Sequence, residues 1–508
     1  MRKVCAAALI LLAGCGRCGA DNQSAKSADE LLPAQVSAAV VTAPLGGFMQ
    51  HAAALSDRAA ALPGGEQLAD LHKGVAARLG FDPFTREGLL SAGIDPDRGA
   101  AVALLPNAQV VTALPLSKPD LFLQTAQRFL ADRAGYAPSA GHPQVFERRG
   151  AQLGLSVVRG YGILARGADA GALLAQVSQR KPEQSLAKNA GFVAMRQKFG
   201  GQDLLLHAPA GSDMAARFGW QLPGEAALAL TSSVQGIAVR LLAQLPPEDA
   251  AKGQAALPGG GSWLVGLLPQ DAPVRARLGV SAPQLLSLVQ RVPQVAEILA
   301  KIDPTELFAS LAPGAALSLG VEKTASLAHL VDYGLDIRKQ SPFQTVQLVA
   351  LAQVADEERF NRALGKLIEE LPSVGAKVTR TEGDFQITYS GGKGARFGVR
   401  EIEGKKVAYV IGGSLDPKDL KRGAPDKNPE AAALIEDPGA AGRADFGKLY
   451  DAIHALPSDT YGSGPQSYVT RSLVGQVVDP LRPLRVSIGV LAHPDSIGAT
   501  LDVEIAAQ

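Results

Sequence analysis

The sequence predicts an α+β fold built from two related modules of an internal duplication, with largely antiparallel sheets and helices packed on one face. Three observations point there. Short β-rich runs, spaced as hairpins, alternate with amphipathic helical stretches. Segments of the first half recur in the second half in the same order. Gly (55) and Pro (33) are plentiful in the 508 residues, which favours many turns over a helical bundle. Hydrophobic residues make up 46% and charged residues 19%, enough to bury real cores and to exclude wholesale disorder. At ~100–200 residues per domain the length suggests roughly two to four domains. The formal net charge of +1 lacks the basic excess of a nucleic-acid binder, so no nucleic-acid partner is expected.

The N-terminus reads as an address. Met1-Arg2-Lys3 is positive, and Val4 to Ala13 is an uninterrupted apolar run. That run is half the roughly 20 residues a membrane span needs and fits a secretory signal. It ends in Leu12-Ala13-Gly14-Cys15, which resembles the lipobox of bacterial lipoproteins. The resemblance implies cleavage between Gly14 and Cys15, diacylation of the Cys15 thiol and acylation of the new amine, which makes the membrane a partner through N-terminal acyl chains. Two or three chains anchor stably where one does not. Such lipoproteins are often kept in the inner membrane by Asp after the cysteine. Here Gly16 follows, which implies the outer membrane, on its periplasmic or its surface face. Residues 16–30, GRCGADNQSAKSADE, are small, polar and charged, and read as a flexible tether. At ~3.3 Å per residue they reach about 50 Å. The three cysteines are Cys5, Cys15 and Cys18, so the body has no disulfide and no thiolate metal site. No later run reaches the ~18 apolar residues of a transmembrane helix.

The duplication rests on four matches. LPAQVSAAVVTAP (Leu32 to Pro44) aligns with LPGGGSWLVGLLP (Leu257 to Pro269). QVVTALPLS (Gln109 to Ser117) and its following helix align with QLVALAQVA (Gln347 to Ala355) and its helix, at a constant offset of 238. Phe360, Leu364, Leu367, Ile368 and Leu371 form one stripe of an amphipathic helix, matched by Phe122, Ala126, Phe129 and Leu130. Ser117 and Asp356 are placed to cap these helices. QVFERRG (Gln144 to Gly150) parallels KVTRTEG (Lys377 to Gly383), with hairpin strands after each. Finally R-x-x-F-G-x(6)-H-A occurs as Arg196, Phe199, Gly200, His207, Ala208 and as Arg443, Phe446, Gly447, His454, Ala455. The expected division is signal 1–14, lipidated cysteine and tether 15–30, first module 31–248, linker 249–255 and second module 256–508. By body the chain is loosely similar to duplicated, uncharacterised bacterial lipoproteins.

Patterns that carry chemistry are sparse. H-E-x-x-H is missing, and no two of the seven histidines lie within five residues of each other, so no metal or cofactor is expected. No G-x-S-x-G elbow occurs. Two S-x-x-K tetrads, Ser178 to Lys181 and Ser185 to Lys188, lack a Lys-Thr-Gly partner; Lys323-Thr324-Ala325 comes nearest. GGKGARFG (Gly391 to Gly398) fails the Walker and dinucleotide spacings and reads as a hairpin turn. Asp95-Pro96-Asp97-Arg98-Gly99 reads as a turn, since the distal Glu of a calcium loop is missing. The repeated Arg196/His207 and Arg443/His454 pairs remain as candidates for a symmetric anion or partner site, against the plainer reading of preserved core positions.

The functional expectation is a non-catalytic, membrane-anchored envelope lipoprotein that acts as a binding or scaffold module for an envelope protein or lipid. The alternatives are a binder of lipids or other hydrophobic ligands, which calls for a large apolar cavity, and an envelope hydrolase, which calls for convergent Ser/Lys or His/Asp groups.

Overall fold

The structure, a computed structural model, describes residues 25–60, 62, 65–140, 142–212, 224–291, 299, 303–323, 327, 342–374, 376–381, 384–388, 394–421 and 439–506. The chain divides into two compact units, Met1–Pro246 and Pro247–Gln508.

The first unit has strands β1 (Ala38–Pro44), β2 (Gly99–Leu104), β3 (Val110–Pro115), β4 (Ala137–Ser139), β5 (His142–Arg148), β6 (Ala151–Val158), β7 (Tyr161–Gly167), β8 (Leu204–Ala208), β9 (Ala226–Ser232) and β10 (Gly236–Gln244). They run in the order β4-β5-β6-β7-β3-β2-β1-β8-β9-β10, with each neighbouring pair antiparallel. Helices α1 (Leu45–Ala59), α2 (Glu66–Leu79) and α3 (Arg86–Ser91) connect β1 to β2. Helix α4 (Pro119–Arg128) follows β3, and α5 (Ala170–Gln179) and α6 (Ala190–Phe199) lie between β7 and β8.

Helices cover both faces at the middle of this sheet, not one face as expected. Val111, Ala113, Ile163 and Ala165 share a core with Leu173 and Leu174 of α5 and Phe192 and Met195 of α6. Leu114 and Leu164 share the other core with Phe122 and Ala126 of α4 and Leu89 of α3. The cause is local: VVTALP and YGILA hold no charge and no polar alternation, so neither side of these strands can face water.

The second unit has β11 (Val274–Leu278), β12 (Leu311–Val321), β13 (Val346–Val354), β14 (Lys377–Thr381), β15 (Asp384–Thr388), β16 (Ala395–Ile402), β17 (Lys405–Gly412), β18 (Gly439–Asp445), β19 (Leu484–His493) and β20 (Ser496–Ile505). Their order is β14-β15-β16-β17-β13-β12-β11-β18-β19-β20, again antiparallel throughout. Its helices are α7 (Pro247–Ala256), α8 (Ser262–Val265), α9 (Ala282–Gln290), α10 (Thr305–Ala309), α11 (Glu357–Glu370), α12 (Phe446–His454) and α13 (Pro465–Val478). Helix α11 starts as its sequence requires. The Asp356 carboxylate accepts the Arg359 N–H at 2.9 Å, and Phe360 and Leu364 are buried beneath.

Among the described residues the two strand orders coincide strand for strand, and the ladders allow residues to be matched across them. At the offset of 238, Ala113 of β3 corresponds to Leu351 of β13. Ala113 lies opposite Ala101 and Ile163, and Leu351 opposite Ala316 and Tyr409. Followed outward, the ladders match Val41 with Arg277, Ala39 with Arg275 and His207 with Arg443.

This register corrects several sequence matches. Leu32 to Pro44 contains β1, whereas Leu257 to Pro269 contains helix α8, so that pairing is out of step. QVFERRG is in β5 but KVTRTEG is in β14, whose counterpart is the three-residue β4. Ser117 does not cap α4; its hydroxyl donates to the Ile94 carbonyl, and Lys118 precedes Pro119 at the helix start. The expected linker 249–255 is the interior of α7. Its alanines favour helix, Lys252 pairs with Glu248 at 2.9 Å, and Ala250 is buried.

Candidate functional site

Cys15 and Gly14, the expected lipidation and cleavage positions, lie outside the described residues. The chain can be followed from Ala25, where it is already part of the body. The Ala25 N–H donates to the Arg159 carbonyl at 3.1 Å, and Arg98 Nη2 donates to the Ala25 carbonyl at 2.7 Å. Ala28 and Asp29 are buried, and Leu31 and Leu32 are fully enclosed. Residues 25–30 are therefore folded onto the body, with Ala25, Ala28 and Asp29 buried and Lys26 exposed. The polar composition of SAKSADE concealed this, because Asp29 is buried with an ion partner. That partner is Arg196, whose Nη1 lies 2.9 Å from Asp29 Oδ2.

The corner around Ala25 is basic. Arg159 sits in the left-handed β6–β7 turn with Gly160, and its guanidinium donates to the Arg180 carbonyl at 3.2 Å. Arg180 Nη1 donates to the Leu31 carbonyl at 2.7 Å. The Arg98 guanidinium lies 4.3 Å from the centre of the Tyr161 ring. Burial and the nearby Arg159 charge hold the Arg180 guanidinium below its ordinary pKa.

His207 lies on β8 with no exposed surface, its ring meeting Phe192 edge-on at 5.7 Å. Its Nε2 is 3.5 Å from Glu225 Oε2, and neither ring nitrogen makes a hydrogen bond among the described residues. Burial pushes the imidazole below 6.5, and the Glu225 carboxylate opposes this only in part. Arg196 and His207 thus sit on a helix and a strand, whereas Arg443 and His454 sit on a strand and a helix. The two R-x-x-F-G-x(6)-H-A segments are not equivalent places in the fold.

Beside His454, which does not itself line it, lies a cleft of about 700 Å³ within the second unit, formed by α12, the turn at 479–481 and the start of β19. The cleft is lined by Asp445, Lys448, Tyr450, Asp451, Asp479, Arg482 and Arg485, among others. At its rim His454 Nε2 is 2.9 Å from Asp479 Oδ1, and the His454 ring lies 4.1 Å from that of Tyr450. Arg482 stands 4.5 Å from the same ring and forms no ion pair among the described residues. Asp445 caps α12 by accepting the Lys448 N–H and holds Arg485 at 3.3 Å. Arg443 reaches the same carboxylate at 3.9 Å. The lining sets Asp445, Asp451 and Asp479 against Lys448, Arg482 and Arg485, so it is polar and mixed in charge. Tyr450 and His454 were discoverable from their i, i+4 spacing. Asp479 and Arg482 arrive from beyond α13, and no sequence spacing links them to α12.

The serines do not converge on a nucleophile. The Ser178 hydroxyl donates to the Leu174 carbonyl, and Ser185 is fully buried with its hydroxyl on the Pro182 carbonyl. Asp95 accepts the Asp97 N–H at 3.0 Å, and Asp97 pairs with Arg86, which is a turn's bonding. Among the described residues no three His, Cys, Asp or Glu side chains stand together as a metal site would need. No described helix is long and apolar enough to cross a membrane.

No family model matches the chain, and no curated protein matches it. Three crystal forms of TP0453 are partly similar among solved structures. Form IV shares 13% identity at a TM-score of 0.26, over 43% of this chain and 81% of that one. Form I shares 13% at 0.26, over 44% and 80%. Form III shares 12% at 0.27, over 46% and 88%. Likeness at this level carries no weight for fold or function.

Proposed function

We propose that the chain is an envelope lipoprotein, anchored in the outer membrane by acyl chains on Cys15, whose two modules descend from one duplicated unit and serve as a non-catalytic binding or scaffold body. The anchoring half rests on Leu12-Ala13-Gly14-Cys15 after a short apolar run. The modular half is supported by a single observation: among the described residues, the order of ten antiparallel strands in the first unit is the same as that in the second. Binding is assigned to the second module's cleft, where Arg482 offers a guanidinium braced on Tyr450 and free of a carboxylate partner among the described residues. Its charged lining favours a polar group of an envelope partner over a hydrophobic ligand. The hydrolase reading draws no support from the two tetrads, because the Ser178 and Ser185 hydroxyls donate to local carbonyls.

Cys15→Ala, or globomycin treatment, tests the anchor. Either should leave the precursor unprocessed, with Met1 to Gly14 still attached. Unchanged processing would contradict it. Crosslinking in intact envelopes, with Arg482→Glu as the control, tests the cleft. The crosslinked partner should weaken or vanish in the variant.

A further inference from the structure

The folding of residues 25–32 into the body changes the geometry of anchoring. Ten residue steps separate Cys15 from Ala25, and at ~3.3–3.6 Å each they extend at most about 35 Å. The first unit is therefore held with the Ala25 corner toward the acyl chains, an inference that rests on the lipoprotein reading.

That corner carries Arg98, Arg159 and Arg180, each donating to backbone carbonyls and none in an ion pair among the described residues. Lys26 and Lys181 are exposed beside them. The acids there are few. Asp29 is consumed by Arg196, Glu30 Oε2 accepts the Lys26 N–H, and Glu183 is exposed. Residues 184–186 run along 32–34, with the Ala34 N–H on the Gln184 carbonyl and the Leu186 N–H on the Leu32 carbonyl, so Lys181 and Arg180 belong to the same surface. Cations that stand close together and outnumber the carboxylates around them are stabilised by an external anion.

We propose that this basic corner is a second membrane contact, binding the anionic phospholipid headgroups of the bilayer in which Cys15 is anchored. Acyl chains fix the distance and the arginines fix which side of the first unit faces the bilayer. Each Lys or Arg brought to such a surface strengthens attachment roughly fivefold, less as salt rises.

The test uses the mature chain with Cys15→Ala, expressed without Met1 to Gly14 so that it carries neither signal nor acyl group, floated with phosphatidylglycerol-rich vesicles and with neutral phosphatidylcholine vesicles. The expected result is co-flotation with the anionic vesicles alone, released by high salt. Arg159→Gln should weaken it roughly fivefold. Because Arg159 also braces the Arg180 carbonyl, Lys26→Gln and Lys181→Gln, at exposed positions, give the same reading without touching the fold. Equal flotation with both vesicles, none with either, or variants that float like the parent would overturn the proposal. Since no lipid anchor is present, failure here is separate from failure of the anchor, which the processing of Cys15 decides.

Discussion

Arg196 Nη1 lies 2.9 Å from Asp29 Oδ2, and Asp29 is 1% exposed. This ion pair joins α6 to the segment through which the body receives its N-terminus. Removing the guanidinium leaves a buried carboxylate whose Oδ1 already lacks a partner among the described residues. Arg196→Ala should therefore cost about 1.5–3 kcal/mol in urea unfolding of the first unit. It should also expose Lys26 to limited trypsin cleavage in the native protein. An unchanged unfolding midpoint together with resistance at Lys26 would show that the segment is not locked in this way.

The buried His207 makes the first unit acid-sensitive. Its folded pKa is below the ordinary 6.5, so the unfolded chain takes up the proton first as pH falls. Stability from this group is complete above 6.5 and declines below it, until the depressed folded value is passed. Denaturation midpoints measured down from neutral pH should fall with a slope that His207→Leu flattens. An identical slope in the variant would mean that other groups set the acid response.

Gly162 of β7 lies directly under the Phe122 ring. A Cβ there would come within 2.4 Å of Cε1 and 2.7 Å of Cζ. Gly162→Ala should displace α4 and cost about 1–3 kcal/mol by overpacking. The corresponding residue of β17 by strand register is Ala408, which packs in the core of Phe360. Full stability of Gly162→Ala in a thermal melt would contradict this packing.

Asp356→Ala should lower stability of the second unit by about 1 kcal/mol, and Asp356→Asn by much less, because either Asp or Asn accepts the Arg359 N–H. Equal losses in the two variants, read from denaturant curves, would point to the charge and not to the cap.

Some of this was legible in the sequence for physical reasons. Helix α11 declares itself through a capping Asp356 and a 3.6-residue stripe from Phe360. The β3/β13 correspondence survives because both strands bury residues on two faces and precede a helix. Strand β4 has only three residues, too few to show a period. Strand β11 was hidden for another reason. VRARL places Arg275 and Arg277 where β1 has Ala39 and Val41, yet both arginines are buried, so charge misreported burial. The same mechanism concealed Asp29. The R-x-x-F-G-x(6)-H-A match failed because five fixed residues do not determine backbone state: His207 is in a strand and His454 in a helix. In the shared register the counterpart of His207 is Arg443.

The most direct measurement is the intact mass of the protein purified from membranes, with the N-terminal peptide sequenced by fragmentation. A lipid-anchored protein gives a chain that begins at Cys15, lacks Met1 to Gly14, and carries the added mass of a diacylglyceryl thioether on that cysteine. A chain that retains Met1, or one cut elsewhere with an unmodified Cys15, would contradict the anchor and with it the orientation assigned to the basic corner.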